Sequence, residues 1–189
     1  IEVFKGNTSD STTVDGQIKK LAERFHVSEV VLVGDRGMIK KTGIASLDAR
    51  RWSYVTAITK PQIEKLIDDD VIQMDLFDEE LVEVADKDVR YILRRNPWRA
   101  EEIRINRDDK MRRVEELCAI LNAKLAEHPR CGEKTALKEL AKKIDRLKLT
   151  KILHANLDGR ILSVTAFKTA LEEASRLDGC YVIKTNVKK

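Results

Sequence analysis

A chain of 189 residues with 42% apolar and 36% charged residues can bury a sizeable core and fits one or two domains. No stretch approaches the roughly 20 continuous apolar residues of a membrane span, which excludes a helical membrane protein and predicts a cytoplasmic one. Cys118, Cys131 and Cys180 are widely spaced and form no paired-cysteine motif, which predicts reduced thiols and argues against structural zinc. The net charge of +4 permits nucleic-acid contact without demanding it. Its distribution is more telling. Glu64 to Asp88 holds eleven acidic and two basic residues, whereas Val89 to Lys151 holds eighteen basic against ten acidic, so one middle block repels phosphate and the next can attract it.

In chain order, Ile1 to Phe4 alternates and runs into Lys5-Gly6-Asn7, a strand followed by a turn. A helix follows, capped by Asp10, Ser11 or Thr12, with Val14, Ile18, Leu21, Ala22 and Phe25 at helical spacing. Glu29 to Gly34 is a short, nearly continuous apolar run, the pattern of a strand buried on both faces. Lys41 to Arg50 reads as a short helix and Trp52 to Ile58 as a further strand, which extends an α/β order. Pro61 starts a helical stretch to Ile67. The acidic block then contains strand-like runs at Glu80 to Ala85 and Val89 to Arg94, expected to form a small sheet of their own. Asn96-Pro97 ends it, because proline disfavours a helical residue before it.

Arg99 to Glu127 is a long helix in which Met111, Val114, Cys118, Leu121 and Leu125 step by three and four. His128 to Gly132 closes it, and Leu137, Leu140, Ile144 and Leu147 repeat the spacing, which predicts an antiparallel helical pair. Lys151 to Ala155 and Arg160 to Val164 flank a turn-forming Asp158-Gly159 and read as a hairpin. Thr165 to Leu177 is a helix and Cys180 to Lys184 a strand. A strand-like start at Ile1 and a strand-like run near the far end are expected of an internal segment of a longer protein.

Chemistry is best placed at Asp35. A carboxylate following a strand of an α/β sheet lies at the carboxyl edge, where ligands commonly bind. Gly34 and Gly37 leave room for close backbone approach, and Arg36 can hold a phosphate or orient the carboxylate. The alternative is that Asp35 merely starts a turn and caps a following helix. No phosphate-loop, nucleophile-elbow, zinc-protease or dinucleotide motif competes with it. Asp68, Asp69 and Asp70 lack calcium-loop spacing and read as a solvated face. Trp98 beside Arg94, Arg95 and Arg99 combines an aromatic with cations, which can stack a base and clamp phosphate or simply lie at the surface. Lys142, Lys143, Arg146, Lys148 and Lys151 can follow a nucleic-acid backbone or serve only as the polar face of a helix.

Three motifs in order carry a resemblance: Val3-Phe4-Lys5-Gly6-Asn7-Thr8-Ser9-Asp10 before a helix, Val33-Gly34-Asp35-Arg36-Gly37-Met38, and Asp178-Gly179-Cys180-Tyr181-Val182-Ile183-Lys184-Thr185-Asn186. Together, with a helix-rich stretch between the last two, the chain resembles the DDE transposases of bacterial insertion sequences that have a long insertion between the second and third acidic residues. The resemblance implies a ribonuclease H-like domain whose three carboxylates bind two Mg2+ (or Mn2+) ions, and DNA partners in the transposon ends and target. Asp35 matches the second carboxylate, both catalytic and metal-binding. The first would lie upstream of Ile1 and the glutamate on a helix beyond Lys189. Two-metal phosphoryl transfer needs several carboxylates to hold ions about 3.5 to 4 Å apart, so this chain alone is expected to be inactive and to bind no metal tightly. Arg36 is then a supporting residue, and Lys184, Asn186, Trp98 and Arg95 are candidate DNA contacts.

The expected fold is α/β: a partial ribonuclease H-like sheet flanked by helices, with an α+β insertion containing the long helical pair. Residues 1–60 form the first part of the core, 61–165 the insertion with a small sheet and the helical hairpin 99–148, and 166–189 the return to the core. Two other readings stay open. One is a non-catalytic interaction or DNA-binding module built on the helical hairpin, with homodimerisation as one outcome. The other is a different ribonuclease H-like nuclease.

Overall fold

The computed structural model describes residues 3, 5–8 and 10–188. The strand expected at Ile1 to Phe4 lies outside the described residues. Two compact units emerge, one from Ile1–Asn96 with Cys180–Lys189 and the other from Pro97–Gly179.

The first unit is a mixed α/β layer. Its elements are α1 (Asp10–Glu23), β1 (Val31–Gly34), α2 (Lys41–Asp48), β2 (Ser53–Ala57), α3 (Lys60–Asp68), a 3₁₀ turn (Asp75–Phe77), β3 (Val82–Asp86) and β4 (Val89–Arg95). The strand Cys180–Thr185, numbered β7 below because β5 and β6 belong to the second unit, completes a five-stranded sheet in the order β1-β2-β7-β4-β3. β1 and β2 are parallel, joined through α2, and every other pairing is antiparallel. The pairing corrects two expectations. The runs in the acidic block form no separate small sheet, because β4 pairs along its length with β7, Arg90 opposite Thr185 through Arg95 opposite Cys180. For the same reason the units divide at 96/97 and 179/180 rather than at 60/61 and 165/166.

Strand alternation gives the sheet two unlike faces. Leu32, Tyr54, Thr56, Val182, Tyr91 and Leu93 share one face by register, and there Val14 and Ile18 of α1 and Leu47 of α2 build a core with Trp52 and Tyr54. Trp52 donates its indole N–H to the Ser28 carbonyl at 3.0 Å, and Thr185 donates its hydroxyl to the Tyr54 carbonyl at 2.6 Å. The other face carries Val31, Val33, Tyr181 and Ile183, which stay 55%, 71%, 37% and 40% exposed. The two-sided burial expected of Glu29 to Gly34 is thus replaced by burial on one side. β1 is the edge of the sheet, and the apolar run of its sequence does not distinguish an edge strand from a central one.

α3 shows how local sequence sets an element boundary. Thr59 and Gln62 form a capping box, with the Thr59 amide donating to Gln62 Oε1 at 2.8 Å, and Pro61 occupies the first turn, where its missing N–H costs nothing.

The second unit comprises α4 (Pro97–Glu127), α5 (Glu133–Arg146), the hairpin β5 (Leu153–Asp158) and β6 (Ile161–Ala166), and α6 (Lys168–Arg176). The helical pair forms as the three-four spacing predicts: Val114, Cys118, Leu121 and Leu125 of α4 meet Ala136, Leu140 and Ile144 of α5 in one core, which the inward hairpin residues Leu153 and Leu162 complete. The hairpin turn is tighter than expected. Asp158 pairs with Ile161, so Gly159, at φ +54°, and Arg160 alone form the loop. Asn122 of α4 fastens β6 by donating to the Leu162 carbonyl at 2.9 Å and accepting its N–H at 2.8 Å. Among the described residues no helix is long and apolar enough to cross a membrane, and Cys118, Cys131 and Cys180 form no disulfide.

Candidate functional site

Asp35 follows the last residue of β1 and is exposed at the carboxyl end of the two parallel strands. Three features fix the chain there. Gly37, at φ +90°, takes a conformation that side-chain-bearing residues rarely adopt, and the Met38 amide donates back to the Asp35 carbonyl at 3.3 Å, closing the turn. Thr56, buried in β2, donates its hydroxyl to the same carbonyl at 3.2 Å. Gly34 admits the returning chain, since a Cβ there would lie 2.8 Å from Ile39 Cγ1. Asp35 is therefore a residue on a tightly specified turn, with its carboxylate at the surface.

Arg36 places its guanidinium 6.0 Å from the centroid of the Tyr181 ring on β7, a cation–π approach, and forms no ion pair with Asp35. That contact places it toward the face of the sheet on which Tyr181 lies.

The remaining sequence candidates are dispersed. Asn186 is spent on the fold: its Oδ1 accepts the Tyr54 amide at 2.8 Å, and its Nδ2 donates to the Trp52 carbonyl and to Asp48, both at 3.2 Å. Arg95 is bonded to Asp78 at 2.7 Å, and a hydrogen bond to Cys180 leads the causes that raise its pKa. Trp98, in the first turn of α4 in the second unit, is 85% exposed. Lys184 of β7 lies opposite Thr56 in the register. The acidic block is largely solvated, and two of its members, Asp78 and Glu83, pair with Arg95 and Arg90 of β4.

Among the described residues no group of three His, Cys, Asp or Glu side chains is placed to hold a metal ion. One exposed carboxylate does not fit a two-ion magnesium centre. Sequence reasoning passed over Lys40 and Lys41, which look like ordinary polar residues opening a helix. The signal was their position, a few residues beyond Gly37 at the carboxyl edge of the sheet. Compared with known proteins, the chain matches no family model, no curated protein and no solved structure.

Proposed function

We propose that this chain is part of the catalytic domain of a DDE-type DNA transposase, with Asp35 as the second of its three carboxylates. The position of Asp35 carries the reading: an exposed acid on a constrained turn at the carboxyl end of β1, whose outer edge has no strand partner among the described residues. An unpaired edge can accept another strand, and the apolar face beside it can accept a helix. A strand bearing the first acid on that edge, and a helix bearing a glutamate on that face, would bring both toward Asp35. Two Mg2+ or Mn2+ ions held by the completed set would stabilise the attacking and leaving oxygens of an in-line displacement at a DNA phosphodiester. The transposon ends and the target DNA are the substrates on this reading, and the ribonuclease H-like character of the sheet is part of the same proposal.

The test is the protein encoded by the reading frame extended in both directions, assayed for cleavage and strand transfer of DNA carrying the element's ends. Asp35→Asn is expected to reduce both to background. An extended frame without an Asp-bearing strand upstream and a Glu-bearing helix downstream overturns the proposal, as does an Asp35→Asn protein of full activity. Cleavage without strand transfer assigns the protein to a ribonuclease H-like nuclease instead.

A second reading is favoured by Ile120 of α4 and Ile161 of β6, large apolar side chains left exposed in the second unit. They suit a protein contact surface, including a homodimer. Light scattering tests it: loss of self-association on Ile120→Gln and Ile161→Gln supports this module, and a monomer at all concentrations removes it.

A further inference from the structure

On the helix-covered side of the sheet, next to the Asp35 turn, lies a crevice of about 770 Å³. Its floor is the end of β2, Thr56 to Ile58, and its walls come from the 37–41 segment, α2 and the start of α3. Lys40, Lys41 and Lys184 all line it. Two belong to the start of α2 and the third to β7, far apart in sequence, so they do not form the periodic stripe of a solvated helix face.

Their charges are not neutralised within the protein. Arg90 and Arg95, elsewhere in the same unit, are each bonded to a carboxylate at 2.7 Å. Among the described residues Lys40, Lys41 and Lys184 make no side-chain hydrogen bond and no ion pair. The one carboxylate lining the crevice, Asp48, is turned to Asn186 Nδ2 at 3.2 Å. Three ammonium groups against one carboxylate leave an excess positive charge in a concave site, where a bound anion is favoured over mutual repulsion.

We propose that this crevice binds a phosphate group of a DNA backbone, with Lys40, Lys41 and Lys184 as its counter-charges. Lysine ammonium groups are point charges that neutralise phosphate without reading base edges, so the site holds and orients a duplex and does not select its sequence. The choice of DNA over a small anion rests on the transposase reading, which brings a phosphodiester to the neighbouring Asp35 edge.

The experiment is fluorescence anisotropy of a labelled DNA duplex titrated with the 189-residue chain in metal-free buffer across a salt series. Each phosphate contact contributes roughly 0.9 to the slope of log affinity against log salt. The triple variant Lys40→Gln/Lys41→Gln/Lys184→Gln removes that one phosphate contact and is expected to lower the slope by about one unit and to weaken binding at least about 10-fold at low salt. The Lys→Arg triple variant retains binding, and circular dichroism with a urea midpoint confirms that each variant folds. A control double on α5, Lys134→Gln/Lys138→Gln, leaves affinity near that of the parent. Unchanged affinity and slope in the crevice variant overturn the proposal, and so does an equal loss in the α5 control. A thermal upshift by inorganic phosphate that needs the three lysines, with no duplex binding, also overturns it, by assigning the crevice to a small anion. Asp35→Asn leaves duplex binding intact, so the crevice and the proposed chemistry can fail separately: an extended protein that binds DNA through these lysines but neither cuts nor joins it removes only the transposase reading.

Discussion

Thr56 donates its hydroxyl to the main-chain carbonyl of Asp35 across 3.2 Å, so the strand next to β1 holds the turn on which the candidate acid sits. The hydroxyl also lies 3.3 Å from the Ala57 carbonyl, and Thr56 is almost fully buried. Thr56→Val keeps shape and strand preference and removes only the donor. It is expected to cost about 1 kcal/mol in urea unfolding and to speed amide exchange at Met38, whose N–H closes the same turn. Unchanged exchange there would show that the turn is held without Thr56.

Gly34 and Ile39 form a steric pair. A Cβ at Gly34 lies 2.8 Å from Ile39 Cγ1 and 2.9 Å from its Cδ1, and the buried, β-branched Ile39 has little freedom to yield. Gly34→Ala is expected to destabilise the protein by about 1–3 kcal/mol. Ile39→Ala opens a cavity and is costly too, but it removes both clashing atoms. The double variant should therefore be more stable than the sum of the two singles, by on the order of 1 kcal/mol in a double-mutant cycle. Strict additivity counts against the clash.

In the second unit, Arg107 bonds Asp178 with side chains only 10% and 7% exposed, and its other amino group reaches the Ala174 carbonyl at 3.3 Å. The pair fastens the middle of α4 to the segment leaving α6. Arg107→Met removes a buried carboxylate's cationic partner and is expected to cost about 3 kcal/mol. Arg107→Met/Asp178→Leu removes both charges and should recover much of that loss. Equal stabilities for the single and double variants would show that Asp178 is satisfied without Arg107.

Burial pushes the Tyr54 phenol up to about 12, with Asp48 and Tyr91 adding to the shift. The phenolate is disfavoured in the folded state, so the folded pKa exceeds the unfolded value near 10. The associated stability is complete below pH 10 and is lost as pH rises from about 10 to 12, by on the order of 1–2 kcal/mol. Unfolding free energies at pH 9 and pH 11 should therefore differ more in the parent than in Tyr54→Phe. The same difference in both would remove Tyr54 as the source.

Elements whose stabilising contacts repeat locally were legible in the sequence. The spacing of Val114, Cys118, Leu121 and Leu125, followed by Leu140 and Ile144, specified the helical pair because each turn of α4 carries its own share of the core. The placement of β3 and β4 was not legible, since their sheet is decided by β7, which pairs with β4 from 85 to 95 positions further along: Arg95 with Cys180 and Arg90 with Thr185. Alternation within a strand carries no record of such a distant neighbour. The one-sided exposure of Val31 and Val33 escaped for a related reason, because hydrophobicity states that a residue prefers cover and not whether cover is there. Asp35 was found because a short apolar run ending in Gly-Asp marks a strand end by itself, while the Lys40, Lys41 and Lys184 cluster needed the sheet register to become visible.

The same distant strand governs the order in which the molecule can be made. β7 is the middle strand of the sheet, flanked by β2 and β4, yet it is synthesised only after the whole of Pro97–Gly179. Until residue 185 has been translated, β1-β2 and β3-β4 are separate ribbons with unpaired inner edges. The second unit, by contrast, closes its core from contiguous chain and can fold while the first unit waits. A chain ending just short of Cys180 would contain a folded helical unit and two loose pieces of sheet, whose unpaired inner edges are open to pairing with other chains.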